Sequence, residues 1–309
     1  MYEKILIPLD GSALAEVALP YAEELAGRLD SEVTLVYVSE LTKDPYQHIH
    51  QFYLDKMVET TNQGAERYPK KSERRATSVK SVILVGNPAE EIVDYADKAD
   101  IGLIVMATHG QSGIKRWFLG SVADKVVRAT KRPVALIRAK GARSDVREKG
   151  ILRKTLVPLD GSTEGEAVIH YVKELASRLN VNVILLQVTA MGYQTANVQG
   201  YYDYVSLSEQ QMESAKTYAR GYLNKVGDLL RQKGITVDIE VRTTVDIKSF
   251  NTAEEIINFA DKIHADMVAM STHGRSGIGR WVFGNVAERV LHEGTTPLFL
   301  VRAPGVGTK

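Results

Sequence analysis

The sequence predicts an α/β fold: two successive domains, each an open, five-stranded parallel sheet with helices on both faces. Three observations carry this. Short apolar runs alternate with amphipathic stretches along the whole chain, as repeated strand–helix units require. KILIPLDGSALAEVALPYAEELAGRLDSEVTLVYV, beginning at Lys4, returns as KTLVPLDGSTEGEAVIHYVKELASRLNVNVILLQV from Lys154, 150 residues later. ATHGQSGIKRWFLGS, beginning at Ala107, returns as STHGRSGIGRWVFGN from Ser271, 164 residues later, so the second copy has gained 14 residues between the two blocks. Solenoid repeats run at about 20–50 residues, so a period this long marks duplicated domains. The expected domains are 1–140 and 151–309, joined by the charged, glycine-bearing stretch AKGARSDVREKG at 139–150.

Each element of the first copy has a local reason. Ile5 to Leu9 is a short, nearly continuous apolar run, which suits a strand buried on both faces. Ser12 can cap the helix that follows. Leu14, Val17, Ala18, Leu25 and Leu29 fall along one face of it, and Pro20 predicts a kink. Val33 to Val38 is a second strand, and a longer helix is expected over Gln51 to Tyr68, matched by Ser208 to Lys233 in the second copy. Ser78 to Val85 is a strand, Pro88 to Lys98 a helix and Ile101 to Met106 a strand. Ser121 to Arg128 is a helix, and Pro133 to Ile137 closes the copy as a strand. Crossovers between parallel strands are right-handed.

Bulk composition excludes several classes of function. Of 309 residues, 44% are hydrophobic and 25% charged, which is ordinary for a folded domain. The net charge of +1 gives no electrostatic case for binding nucleic acid. With no cysteine there is no disulfide, thiol catalysis or cysteine metal site. No stretch approaches the ~20 apolar residues that a membrane-spanning helix needs. The opening residues are too short and interrupted for a secretory leader. A soluble cytoplasmic protein with no membrane partner is expected.

In an open parallel sheet, ligands sit beyond the carboxyl ends of the strands, where strand order reverses. Asp10 follows the first strand, Val38 ends the second, Gly86 follows the third, and the Ala107–Ser121 phrase follows the fourth. Gly110 and Gly113 allow a backbone to approach a ligand with no Cβ in the way. Gly120-Ser121 opens a helix, whose free N–H groups and dipole favour an anion by ~0.3–2 kcal/mol. Together they describe a phosphate cradle. Asp10, repeated as Asp160, reads either as the cap of a local Asx turn or as a group on the ribose or metal side of a ligand.

These residues resemble the nucleotide-binding signature of the universal stress protein family, G-x2-G-x9-G-[ST] after a strand, with an aspartate after the first strand. The resemblance covers both halves almost end to end. It implies two Rossmann-like (adenine nucleotide alpha hydrolase-like) domains of strand order 3-2-1-4-5, and a stress-response regulator that binds ATP, with Mg²⁺ held through the phosphates. The implied contacts in the first domain are Pro8, Leu9, Asp10, Val38, Gly86, Met106, Ala107, His109, Gly110, Gly113, Gly120, Ser121 and Val122. In the second they are Pro158, Leu159, Asp160, Val188, Met270, Ser271, His273, Gly274, Gly277, Gly284, Asn285 and Val286. Ala107 and Ser271 stand where the signature has its first glycine, and Asn285 replaces its hydroxyl residue. The VGNP stretch, Val85 to Pro88, is lost from the second copy, so the first site ranks above the second. The resemblance also implies that the halves pair through their last strands as a pseudo-dimer, and a homodimer of tandem chains is compatible with it.

Other readings stay weaker. His109 and His273 could suggest a triad with Asp10 and Ser121, but nothing resembles a nucleophile elbow. Neither G-x-x-x-x-G-K-[ST] nor G-x-G-x-x-G occurs. Lys115, Arg116 and Arg280 are ordinary exposed loop cations, and Trp117 and Trp281 read as packing residues. The tyrosine-rich stretch Met191 to Tyr204 reads as a lid or a subunit contact. Asp10 is the one evident general base, so ATP hydrolysis is expected to be weak at most. A structural or interaction protein from the family's non-nucleotide branch is the alternative.

Overall fold

The computed structural model describes residues 1–42, 44–68, 78–110, 119–138, 151–191, 194–198, 201–205, 209–245, 250–273 and 283–303. The chain forms two compact units. The first takes in Met1–Arg153 together with Pro297–Arg302, and the second contains most of the remainder.

In the first unit the strands are β1 (Lys4–Leu9), β2 (Glu32–Ser39), β3 (Ser78–Val85), β4 (Leu103–Ala107) and β5 (Val134–Ile137). They run parallel in the order β5-β4-β1-β2-β3, with Ile5 opposite both Val33 and Leu103. This is the 3-2-1-4-5 order, and it reverses between β1 and β4. Ile5, Leu6, Ile7, Leu35, Ile104 and Leu136 have no exposed surface, as strands covered on both faces require.

Helices α1 (Leu19–Leu29), α2 (Gln47–Ala65), α3 (Pro88–Lys98) and α4 (Ser121–Ala129) connect these strands. Pro20 does not kink a helix. It occupies the first turn of α1, where the missing N–H costs nothing, and a short 3-10 turn at Glu16–Ala18 precedes it. Ser12 therefore caps a turn and not α1: its Oγ accepts from the Ala15 amide at 3.2 Å. Leu14 and Val17 are only half-buried, because they precede α1, while Ala18, Leu25 and Leu29 are in the core. α2 begins four residues before the predicted Gln51, at Gln47. α3 matches its expected bounds: Asn87 accepts from the Ala89 amide at 3.2 Å, and Pro88 follows it.

The second unit has β6 (Lys154–Pro158), β7 (Asn182–Met191), β10 (Val237–Val245) and β11 (Met267–Ser271), parallel in the order β10-β7-β6-β11. Its helices are α5 (Thr163–Leu179), α6 (Glu209–Arg231), α7 (Phe250–Lys262) and α8 (Asn285–Glu293). α5 is the uninterrupted counterpart of the turn and α1. His170 stands where the first copy has Pro20, and Ser162 caps the helix by accepting from the Gly165 amide at 3.0 Å. Within Met191–Tyr204, the tyrosine-rich stretch contributes to an antiparallel hairpin of β8 (Gln194–Val198) and β9 (Tyr201–Val205).

The last strand of the chain, β12 (Leu298–Val301), belongs to the first unit. There it lies antiparallel to β5, with Phe299 opposite Ala135 and almost wholly buried. Two further contacts recur. Tyr53 on α2 donates to Glu16 at 3.2 Å, and Tyr222 on α6 donates to Glu166 at 2.9 Å. Each tyrosine ties the second helix of its copy to the segment after the first strand.

Candidate functional site

The first unit holds a cleft of about 510 Å³ at the carboxyl ends of its strands. β1 brings Pro8, Leu9 and Asp10 to it, β2 brings Val38, and β4 brings Met106 and Ala107. His109 and Gly110 follow from the loop, and Gly120, Ser121 and Val122 from the start of α4. These segments converge because the strand order reverses between β1 and β4, which leaves a crevice between their connections. Gly86 does not line the cleft. It supports the rim instead: its φ of +147° is open to glycine, and its amide donates to the Ser39 carbonyl at 2.9 Å, joining the ends of β2 and β3. Gly113, Lys115, Arg116 and Trp117 lie outside the described residues.

Asp10 makes an Asx turn, its Oδ1 accepting from the Ser12 amide at 3.0 Å and from the Ser12 hydroxyl at 2.6 Å. Its Oδ2 faces Gly110, where a Cβ would come within 2.0 Å of it. The turn and the ligand-facing readings of Asp10 therefore involve different oxygens. The Gly120 amide donates to the Thr108 carbonyl at 2.8 Å, which fixes the start of α4 against the end of β4. Among the described residues no side chain caps α4, and Ser121, Val122 and Ala123 of its first turn line the cleft. First-turn amides have no partner within the helix, so this end is electropositive. His109 Nδ1 is 3.0 Å from Thr108 Oγ1, and its Nε2 is buried with no hydrogen-bond partner among the described residues.

The structure adds a wall that the sequence did not reveal. Tyr37, Ser39, Glu40, Leu41, Asp44, Tyr46 and His50 also line the cleft. Asp44 organises them. It accepts from the Ser39 hydroxyl at 2.7 Å and the Tyr46 amide at 2.8 Å, and its Oδ2 lies 3.1 Å from His50 Nε2. The Ser39 hydroxyl, then the Tyr46 amide, holds the Asp44 carboxyl below its ordinary range. The His50 ring stacks on Tyr37 with centroids 4.2 Å apart and planes 20° from parallel. Burial, followed by the carboxylates of Asp44 and Asp10, raises the Tyr37 phenol, which stays neutral. A stack across the β2–α2 connection depends on where that loop folds, and no spacing in the sequence encodes it.

The second copy repeats much of the framework. Asp160 Oδ1 accepts from the Ser162 amide at 3.0 Å and from the Ser162 hydroxyl at 2.5 Å. Pro158 and Leu159 precede it, and Val188 lies on β7. Met270 and Ser271 end β11, and Thr272 Oγ1 lies 2.9 Å from His273 Nδ1. The Gly284 amide donates to the Thr272 carbonyl at 2.9 Å, and Asn285-Val286 opens α8. Gly274, Gly277, Arg280 and Trp281 lie outside the described residues. Gln187 stands in place of Tyr37, buried, with its Oε1 unpartnered among the described residues. Among the described residues no helix is long and apolar enough to cross a membrane, and no cluster of histidine and acidic residues could hold a metal alone.

Comparison with known proteins agrees with the duplication. The sequence model of the universal stress protein family matches residues 1–138 and again residues 152–302. Universal stress protein MJ0531 of Methanocaldococcus jannaschii is 32% identical over 141 residues, covering 45% of this chain and 83% of that protein. A universal stress protein of Mycolicibacterium smegmatis is 23% identical over 305 residues, 96% of each chain. The crystal structure of a universal stress protein from Archaeoglobus fulgidus shares the fold, with a TM-score of 0.63 and 19% identity over 98% of this chain and 99% of that one. The chain belongs to the universal stress protein family, and the family's domain occurs in it twice.

Proposed function

We propose that the first unit binds ATP and that the protein acts as a nucleotide-responsive regulator in a cytoplasmic stress response. One observation carries the reading. Asp10, Val38, Gly110 and the first turn of α4, far apart in sequence, converge on one cleft of about 510 Å³. That volume is within the ~300–1,000 Å³ range of small-molecule sites. Adenine would lie beside Val38, ribose near Asp10, and phosphates against Gly110 and the amides at Ser121 and Val122.

The cradle fits a polyphosphate because, among the described residues, no side chain caps the first-turn amides of α4. Mg²⁺ would enter with the phosphates and offset their charge. The protein's part is to bind and orient the nucleotide, with hydrolysis weak at most. The second unit, with Asn285 for Ser121 and Gln187 for Tyr37, is the weaker nucleotide site. Pairing of the halves through their last strands, and a homodimer of tandem chains, belong to the same proposal.

Thermal unfolding with ATP, ADP or AMP, with and without Mg²⁺, tests this reading. At 100 times its dissociation constant, a ligand at one site stabilises the fold by ~2.7 kcal/mol. Absence of any shift with all three nucleotides would favour the non-nucleotide alternative.

A further inference from the structure

We propose that Tyr37, Asp44 and His50 form a base-reading wall in the first cleft, with His50 the residue that favours an amino-bearing purine over an oxo-bearing one. The inference rests on the nucleotide reading of that cleft and assigns its base selectivity to side chains.

The wall begins next to Val38. Tyr37 precedes Val38 on β2 and Ser39 follows it, and all three line the cleft. His50, from the first turns of α2, is fixed in two ways. Its ring lies on Tyr37 at 4.2 Å, and its Nε2 faces Asp44 at 3.1 Å. Asp44 is itself held by the Ser39 hydroxyl and the Tyr46 amide. An imidazole restrained by a stack and a carboxylate has lost most of its rotational freedom before a ligand arrives, which lowers the cost of using it for recognition.

The same geometry assigns the ring's protons. With Asp44 ionised, the proton of neutral His50 resides on Nε2, facing the carboxylate. Nδ1 is then an acceptor. An exocyclic amine such as that of adenine supplies a donor to it. An exocyclic oxygen, as in guanine, would set acceptor against acceptor, and a mismatch of this kind is disfavoured.

The second copy lacks the device. Gln187 replaces Tyr37, and aligning the helices on the Tyr53–Glu16 and Tyr222–Glu166 ties places Ala219 at the position of His50. Duplication has thus left one copy with the stacked wall and one without it.

The test is calorimetric titration of the full chain with ATP and with GTP, for the wild type, His50→Phe, His50→Gln and Tyr37→Gln. Melting curves establish that each variant is folded. His50→Phe keeps a ring over Tyr37 but has no acceptor, whereas His50→Gln restores one. The expected result is a wild-type preference for ATP that falls about tenfold in His50→Phe, falls similarly in Tyr37→Gln, and largely survives in His50→Gln. Equal wild-type affinities, or an undiminished preference in folded His50→Phe, would overturn the wall and leave the nucleotide site standing. A wild type that binds neither nucleotide would overturn both.

Discussion

Asp10 Oδ2 occupies the space that a side chain at Gly110 would need: a Cβ there would come within 2.0 Å of it. The carboxylate has little freedom to withdraw, because its other oxygen is held by the amide and hydroxyl of Ser12. Gly110→Ala is expected to cost about 1–3 kcal/mol in stability, as overpacking does. The same substitution in an Asp10→Ala background is expected to cost much less, since the obstructing atom is gone. Chemical denaturation of the four proteins in the cycle measures that coupling, and equal costs in both backgrounds would remove the steric explanation.

Gly120→Val tests the phosphate end. A Cβ at 120 would lie 3.0 Å from the Thr108 carbonyl and 3.5 Å from the His109 Cα, and the branches beyond it would crowd the first amides of α4. A drop of at least about tenfold in ATP affinity is expected, with a stability cost of about 1 kcal/mol. Unchanged affinity measured by titration would refute the cradle.

Asp44 makes the base-side wall sensitive to acid. Its carboxyl is held below the ordinary value of 3.8, so its contribution to folding is complete above that value and is lost as pH falls through the lower, folded one. Hydrogen exchange at the Tyr46 amide, which Asp44 accepts, should accelerate relative to β2 amides as pH drops below about 4. Asp44→Asn should show the faster exchange at neutral pH as well. An exchange ratio independent of pH would count against Asp44 as the clamp.

The tyrosine ties offer a comparison between copies. Tyr53→Phe removes the hydroxyl facing Glu16, and Tyr222→Phe the one facing Glu166. Each is expected to cost about 1 kcal/mol, and the two should add, since they act in separate units. Burial, then the Glu16 carboxylate, raises the Tyr53 phenol well above its ordinary value. Its stabilising effect is therefore present below pH 10 and declines as pH rises above it. Urea unfolding at neutral and strongly alkaline pH reads both effects.

Much of the architecture was legible from alternation alone. Strands such as Ser78–Val85 and helices such as Pro88–Lys98 have punctuation at both ends: Gly86 and Asn87-Pro88 mark a strand end, a cap and a first turn. Pro20 was misread because a proline within an apolar period looks like a kink, whereas the chain delays α1 until proline fits its first turn. The β8–β9 pairing did carry a signal: two short runs with Gln199-Gly200 between them in the sequence. In the first copy Asp10, Gly110 and Gly120 all line the cleft, because backbone chemistry at strand ends is written locally. The Tyr37–His50 stack was not legible. It joins residues 13 positions apart through a loop whose path is set by one carboxylate.

Within the first unit β12 covers the edge of β5, although it comes from the second repeat. A gene fragment that stops at the close of the first repeat would yield a product with β5 uncovered, its row of amides and carbonyls available to any passing strand. Cutting the chain at the repeat junction should therefore leave the β5 edge bare and make the first repeat prone to aggregate.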